Sequence, residues 1–311
     1  MLRKIISASL ILLTAVFFVY AKDAKTGKIE IITTLFPTYD FAKQIGGDKA
    51  NVYLLLPPGV EPHSFEPKPQ DIVKINRADI FIYTGKYMEP WVEDLLKGIH
   101  NKNLKIVDAS RGINLISEAD HDEHNDKEEH HHHGGKDPHI WLDLSNDMII
   151  TDTIAQALAE KDSANKVFYL KNAGEYKNKL AALDKKFKKT LDSAKHKKII
   201  YGGHFAFGYF AKRYGLGYES PYEGFSPNAE PSPKAIGELI KKMKSSQIKY
   251  IYYEELIDPK VARTISQAAG AKLELLHGAH NISKSELENG VTFIYIMNKN
   301  LEKLKEGLEC R

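Results

Sequence analysis

Short apolar runs alternate with segments of helical spacing along the first half of the chain. Four runs rich in β-branched and aromatic residues predict strands, at residues 29–33, 52–56, 80–83 and 104–107. Three segments between them have apolar residues at helical spacing and a proline at or near the first turn, at residues 37–45, 69–76 and 90–97. Such alternation is typical of a parallel α/β sheet.

The same alternation returns after Lys197. Strands are predicted at residues 198–201, 217–220, 250–253 and 272–275. Helices are predicted at residues 205–214, 233–244, 259–269 and 290–307. The predicted fold class is therefore α/β, with two lobes that each contain a central, mostly parallel sheet flanked by helices.

One long amphipathic helix is predicted between the two lobes. Residues 163–194 contain no proline and a single glycine. Their apolar residues recur at intervals of three, four and seven among many lysines, at Val167, Leu170, Tyr176, Leu180, Leu183, Phe187 and Leu191. This pattern divides the chain into an N-terminal lobe (22–162), a rigid connector helix (163–194) and a C-terminal lobe (195–311). Because a helix resists bending, any opening between the lobes is predicted to be small.

Length and charge agree with two ordinary globular lobes. The chain has 311 residues, enough for about two domains of ~150 residues each. Its 44 lysines and arginines nearly balance 41 aspartates and glutamates, which gives a formal net charge of +3. This net charge is too small to attract nucleic acid, so no nucleic-acid partner is expected. We also expect the protein to be a monomer. The single cysteine, Cys310, has no internal partner, so no disulfide is expected.

The first residues have the layout of a secretory signal peptide. A short basic stretch at residues 2–4 precedes an almost continuously apolar run at residues 5–20. We predict a signal peptide at residues 1–21, cleaved near Ala21. The alternative is an uncleaved membrane anchor, but the run is shorter than the roughly 20 residues that a spanning helix needs. Because no cysteine lies near the cleavage site to carry a lipid, a freely soluble periplasmic protein is expected.

One segment, residues 118–136, breaks the pattern. It carries six histidines among acidic residues, at His121, His124 and the run His130 to His133. With no apolar residue after Ala119, it cannot offset its ordering entropy by burial, so a mobile surface loop is predicted. An engineered tag is the alternative; we favour a native loop that attracts metal ions at low affinity.

Three other histidines lie in predicted loops beside glycine or proline. His63 ends the stretch PPGVEPH, His139 lies in DPHIWLD, and His204 follows two glycines in YGGHF. In α/β sheets, ligands collect outside the carboxyl ends of strands, where such loops converge. Three or four neutral imidazoles from separate loops can build a tetrahedral zinc site. The histidines alone do not distinguish a binding protein from a zinc enzyme.

Four segments together resemble a known family. They read LLPPGVEPHSFEPKPQDIVKINRADIFIYTG, DPHIWLD, GGHFAFGYFAKRYGL and AEPSPKAIGELI, in this order. They are similar to the zinc and manganese solute-binding proteins of ABC importers, the ZnuA/TroA-like family, and the resemblance covers about residues 29–308. It implies two α/β lobes joined by a rigid helix, with metal held between them. It also maps metal-binding histidines onto His63, His139 and His204.

At the fourth ligand position, some members of the family carry aspartate or glutamate, and this chain differs from them. In this chain the corresponding loop reads LHGAHNIS, and its alignment with the family's helix entry places His280 at the ligand position. His277 is a less favoured substitute. Since carboxylate oxygen suits Mn²⁺ and imidazole nitrogen suits Zn²⁺, the change favours zinc.

The resemblance implies a periplasmic protein that captures Zn²⁺ in the inter-lobe cleft and delivers it to an integral-membrane permease with a cytoplasmic ATPase. It implies no enzymatic activity. The alternatives are a manganese-binding homologue, a periplasmic zinc hydrolase with Glu61 as general base, and adhesion at the cell surface. The sequence contains no HExxH motif and no glycine-rich phosphate loop. Glu61 and Asp137, each two residues before a histidine, are interpreted as solvated loop carboxylates; orienting the rings is the alternative.

Overall fold

The computed structural model of the protein describes residues 27–117, 135–204, 206–222 and 230–311. The predicted signal peptide lies outside these residues. So does nearly all of the predicted histidine-rich loop. Ser117, the residue before it, and Lys136, its last residue, form an antiparallel bridge. Within the described residues, no helix combines the length and the hydrophobicity that a membrane-spanning segment requires.

The N-terminal half contains a four-stranded parallel sheet in the order β2-β1-β3-β4. Its strands are β1 (Ile29–Thr33), β2 (Ala50–Leu54), β3 (Ile80–Tyr83) and β4 (Lys105–Asp108). Its helices are α1 (Phe36–Gly46), α2 (Pro69–Arg77), α3 (Val92–Lys97) and α4 (Leu144–Lys161). Strand β2 begins two residues before the predicted start because Ala50 and Asn51 pair with Ile29 and Glu30 of β1. Because Asn51 is polar, the hydrophobic pattern did not indicate that the strand begins before residue 52.

Helix α4 was not predicted from the sequence. Its N-cap is Asp143, whose side chain accepts a hydrogen bond from Ser145 N at 2.7 Å. The helix also buries polar residues, including Asn146, Asp147 and Thr151. These residues interrupt the apolar stripe by which a buried helix is usually detected.

The predicted connector helix is present as α5 (Lys166–Asp192), preceded by a short 3-10 turn at Ser163–Asn165. Its 27 residues correspond to a length of about 40 Å at 1.5 Å per residue. It packs against α1 and α4 and also against α6 and α10 of the second half. Two predicted members of its apolar face, Val167 and Leu170, are exposed instead.

The C-terminal half contains two parallel strand pairs joined by one parallel bridge between Tyr201 and Tyr252. The pairs consist of β5 (Lys198–Ile200) with β6 (Gly217–Glu219), and β7 (Tyr250–Tyr253) with β8 (Lys272–Leu275). The helices are α6 (Gly208–Tyr214), α7 (Pro233–Ser245), α8 (Lys260–Ala269), α9 (Lys284–Glu288) and α10 (Phe293–Gly307). The predicted helix 290–307 begins at Phe293 because Thr292 is its N-cap and accepts from Tyr295 N at 3.2 Å. The short α9 before it was not predicted.

One hydrophobic cluster runs through both halves and along α5. Two smaller clusters cover the outer faces of the two sheets. Polar contacts also join the two halves. Asp40 of α1, in the N-terminal half, accepts a hydrogen bond from Tyr176 Oη of α5 at 3.2 Å and one from Phe293 N of α10, in the C-terminal half, at 3.1 Å. The two halves therefore pack on a shared interior that α5 crosses, and the lobe boundaries drawn from the sequence stay predictions.

Candidate metal centre

His63 lies in the loop that follows β2. The carboxylate of Glu61 shapes this loop: it accepts from His63 N at 2.8 Å and from Ser64 N at 2.8 Å. The ring of His63 is the most exposed of the four predicted ligands, and it faces the three others. Glu61 therefore sets the backbone of the loop.

His139 is fully buried, directly before the 3-10 turn Ile140–Leu142. Asp137 accepts from His139 N at 2.9 Å, and its Oδ1 lies 2.8 Å from the ring Nδ1. When Asp137 is ionised its carboxylate can only accept, so Nδ1 carries the hydrogen and Nε2 keeps its lone pair. The interpretation of Asp137 as a solvated loop carboxylate was wrong. Its side chain is completely buried and orients the ring, and burial raises its pKa well above the ordinary value.

His204 lies just beyond the end of β5, and its partner Glu254 lies just beyond the end of β7. Glu254 Oε2 is 2.5 Å from His204 Nδ1. The preceding Gly203 makes this approach possible, since a Cβ at that position would lie 2.7 Å from Glu254 Oε1. The sequence analysis did not identify Glu254, because 50 residues separate it from His204.

His280 lies in the loop after β8 and is anchored by Glu255. The Oε1 atom of Glu255 lies 3.1 Å from His280 Nδ1, and Oε2 accepts from Gly278 N at 2.7 Å. Among the described residues, the buried Nε2 of His280 has no hydrogen-bond partner. His277, the alternative ligand, lies behind this ring, where its Nδ1 accepts from Ala279 N at 2.9 Å. His277 does not join the cluster.

The four rings form a nearly regular tetrahedron. Their six centroid separations lie between 5.0 and 5.7 Å. His139 Nε2 is 3.4 Å from His63 Nε2 and 3.2 Å from His204 Nε2. One potential ligand atom from each ring lies within 4.8 Å of the others. Tetrahedral zinc with Zn–N bonds of 2.0–2.1 Å separates its nitrogens by about 3.3–3.4 Å, so the cluster fits Zn²⁺.

The electrostatics at His139 and His63 favour the neutral imidazole, the form that binds metal. Burial lowers the pKa of His139 well below its ordinary value, and the charges of His280, His204 and His63 would lower it further. Burial and the neighbouring rings of His204 and His280 likewise lower the pKa of His63. Although burial raises the pKa of Glu255, the adjacent His277 and His280 outweigh it and hold that pKa well below its usual range. A doubly charged cation at the centre would accept the lone pairs of neutral rings and would give the Nε2 atom of His280 a partner.

Substituting Asp137 with asparagine is expected to weaken zinc binding about 10- to 100-fold, the usual effect of losing an outer partner of a metal-bound histidine. The shape of the side chain is kept, but the charge-assisted bond to His139 Nδ1 is lost. Competition with a chromophoric chelator measures the affinity. Asp143→Asn, six residues further along and in contact with no histidine ring of the described residues, is the matched control. Equal affinities for the two variants would contradict the role assigned to Asp137.

Known proteins resemble this chain over nearly all its described length. Residues 31–307 match the family described as ZnuA, zinc-uptake complex component A, periplasmic. The high-affinity zinc uptake system protein ZnuA of Bacillus subtilis is 41% identical over 288 residues, which cover 92% of this chain and 89% of that protein. The zinc-binding protein AdcA of Streptococcus pyogenes serotype M1 is 36% identical over 90% of this chain, but the match spans only 56% of AdcA. The Zn(II)-bound ZnuA-like domain of Streptococcus pneumoniae AdcA superposes with a TM-score of 0.76 at 35% identity, covering 91% of this chain and all of that domain.

Proposed function

Because this chain belongs to the family of periplasmic zinc-uptake complex components A, we propose that His63, His139, His204 and His280 hold its cargo, Zn²⁺. The chain is a zinc-binding component of a high-affinity zinc uptake system. The observation that carries the ligand assignment is the gathering of four imidazole nitrogens within 4.8 Å of one another. Three of the rings also have a buried carboxylate at Nδ1, as metal-bound histidines usually do.

The donor set favours zinc over manganese. All four donors are imidazole nitrogens, and Mn²⁺ prefers sites with carboxylate oxygen. The nearby carboxylates of Asp137, Glu254 and Glu255 are engaged with the Nδ1 atoms of the rings. The site therefore presents nitrogen toward the cation and keeps the negative charge in the surrounding shell.

The proposed role includes no reaction. Four protein ligands complete a tetrahedral zinc site, whereas catalytic zinc sites keep one position for water. The hydrolase alternative also needs a general base. Its candidate, Glu61, is engaged with the backbone of its own loop through His63 N and Ser64 N. These features support a protein that binds and releases the ion over one that uses it to catalyse hydrolysis.

The chain is a component of an ABC-type zinc importer by its family. We propose that it acts as a monomer, is exported with cleavage near Ala21, and delivers zinc to a membrane permease driven by a cytoplasmic ATPase. The near balance of charge supports a role without nucleic acid. The proposed division into lobes 22–162 and 195–311 with a connector at 163–194 puts His63 and His139 in one lobe and His204 and His280 in the other.

The test is a competition titration of Zn²⁺ against Mn²⁺ with the metal-free protein and two variants. The parent should bind one zinc tightly and exchange it for manganese only at a large excess. His280→Asp replaces a nitrogen donor with oxygen and should reduce the preference for zinc over manganese. His277→Ala should change the preference less than His280→Asp does, because that ring lies outside the cluster. An unchanged preference in His280→Asp would remove His280 from the ligand set.

A further inference from the structure

The loop that carries His280 is fastened to the N-terminal half of the molecule. Trp141 Nε1 donates to Gly278 O at 2.7 Å. Gly59 N donates to Ile282 O at 2.9 Å, in the loop that leads to His63. The loop therefore accepts hydrogen bonds from the N-terminal half both before His280, at Gly278, and after it, at Ile282.

Asn281 makes the most direct of these connections. It follows His280 in the chain and its side chain is completely buried. Its Nδ2 donates to Pro57 O at 2.8 Å and to Val60 O at 2.9 Å, and its Oδ1 accepts from Ile282 N at 2.9 Å. One amide therefore bonds the turn that precedes His63 to the backbone that follows His280.

The His63 loop depends on this connection more than the other ligand segments do. Among the described residues, no carboxylate contacts Nδ1 of His63, whereas the rings of His139, His204 and His280 each have one. Glu61 orders the backbone within the loop but does not bond it to the rest of the site. The loop is held against the opposite half by Asn281 and by the Gly59 bond.

We propose that Asn281 is a positioning residue that holds the His63 loop in place before zinc arrives and slows the release of zinc afterwards. The inference rests on the proposed function, because it takes His63 and His280 as ligands. His63 is the only one of the four that is not fully buried, so its side of the tetrahedron is the side open to solvent. Displacing this ligand by moving its loop would break both Asn281 bonds.

Zinc dissociation into excess chelator, followed by stopped flow on the whole protein, tests the proposal. Asn281→Ala should release zinc about 10- to 100-fold faster than the parent, the range expected for lost outer partners of a metal site. Asn281→Asp should release it faster still, because a carboxylate would face the carbonyl oxygens of Pro57 and Val60. The absorption spectrum of the Co²⁺-loaded Asn281→Ala protein should also depart from that of the tetrahedral parent.

Asn300→Ala is the matched control. Asn300 is equally buried and bonds both the N and O atoms of His277, at the start of the same loop, but it does not contact the Pro57 to Val60 turn. It should lower the melting temperature of the metal-free protein much as Asn281→Ala does, while its zinc release stays near the parent rate. Parent-like release from Asn281→Ala, or equal acceleration by both variants, would overturn the proposal. A parent protein without a tight zinc site would instead overturn the proposed function.

Discussion

Replacing His139 with alanine should lower the affinity for zinc about 100- to 1,000-fold. Structural zinc sites with four ligands bind with about 10–16 kcal/mol, so one ligand accounts for roughly 2.5–4 kcal/mol, and each 1.4 kcal/mol is a factor of ten. His139 is the ring whose Nε2 lies closest to two others, at 3.4 Å from His63 and 3.2 Å from His204. Isothermal titration in the presence of a competing chelator measures the loss.

The control for this variant is His196→Ala. His196 lies in the segment after α5, with Glu309 as its neighbour at 3.8 Å and no contact with the cluster. It should bind zinc as the parent does. A His139→Ala protein that keeps parental affinity would show that the cargo binds somewhere other than the four-histidine cluster.

Removing zinc should lower the free energy of unfolding by about 4 kcal/mol, measured against protein with free zinc at a thousand times its dissociation constant. An ion bound only by the folded protein stabilises it by mass action. The effect should extend to the whole fold, because two of the proposed ligands come from each half and a common core joins the halves. Calorimetric melting with zinc and with excess chelator measures the difference.

The His139→Ala protein serves again as the comparison in this experiment. Its melting temperature should respond far less to chelator than that of the parent. If the parent melted at the same temperature with zinc and with chelator, the ion would not bind the folded cluster preferentially.

The strands and the connector helix could be predicted from the sequence because their signals are local. Strand β3, with three consecutive fully buried residues, is found at the predicted residues. Helix α4 could not be predicted from a local pattern, because the polar residues Asn146, Asp147 and Thr151 interrupt the apolar residues on its buried face. Its burial is set by contacts with α5, which follows it directly, and with α1, which lies far before it in the chain.

The four histidines that the structure brings together are those singled out from loop context and family resemblance. Their carboxylate partners were harder to find. Asp137 was identified by its place two residues before His139, but the sequence did not reveal that it is buried. Glu254 and Glu255 were missed, although they come directly after β7, at the edge of the sheet where ligands collect. An acidic pair directly after an apolar strand was the available signal.

The adjacency of Glu254 and Glu255 links two of the proposed ligand rings to one peptide unit. Glu254 Oε2 lies 2.5 Å from His204 Nδ1, and Glu255 Oε1 lies 3.1 Å from His280 Nδ1. Any shift of this strand end pulls both rings in the same direction, so neither can swing away alone without breaking its bond to the strand. The C-terminal half would therefore release both of its proposed ligands, His204 and His280, in one concerted movement.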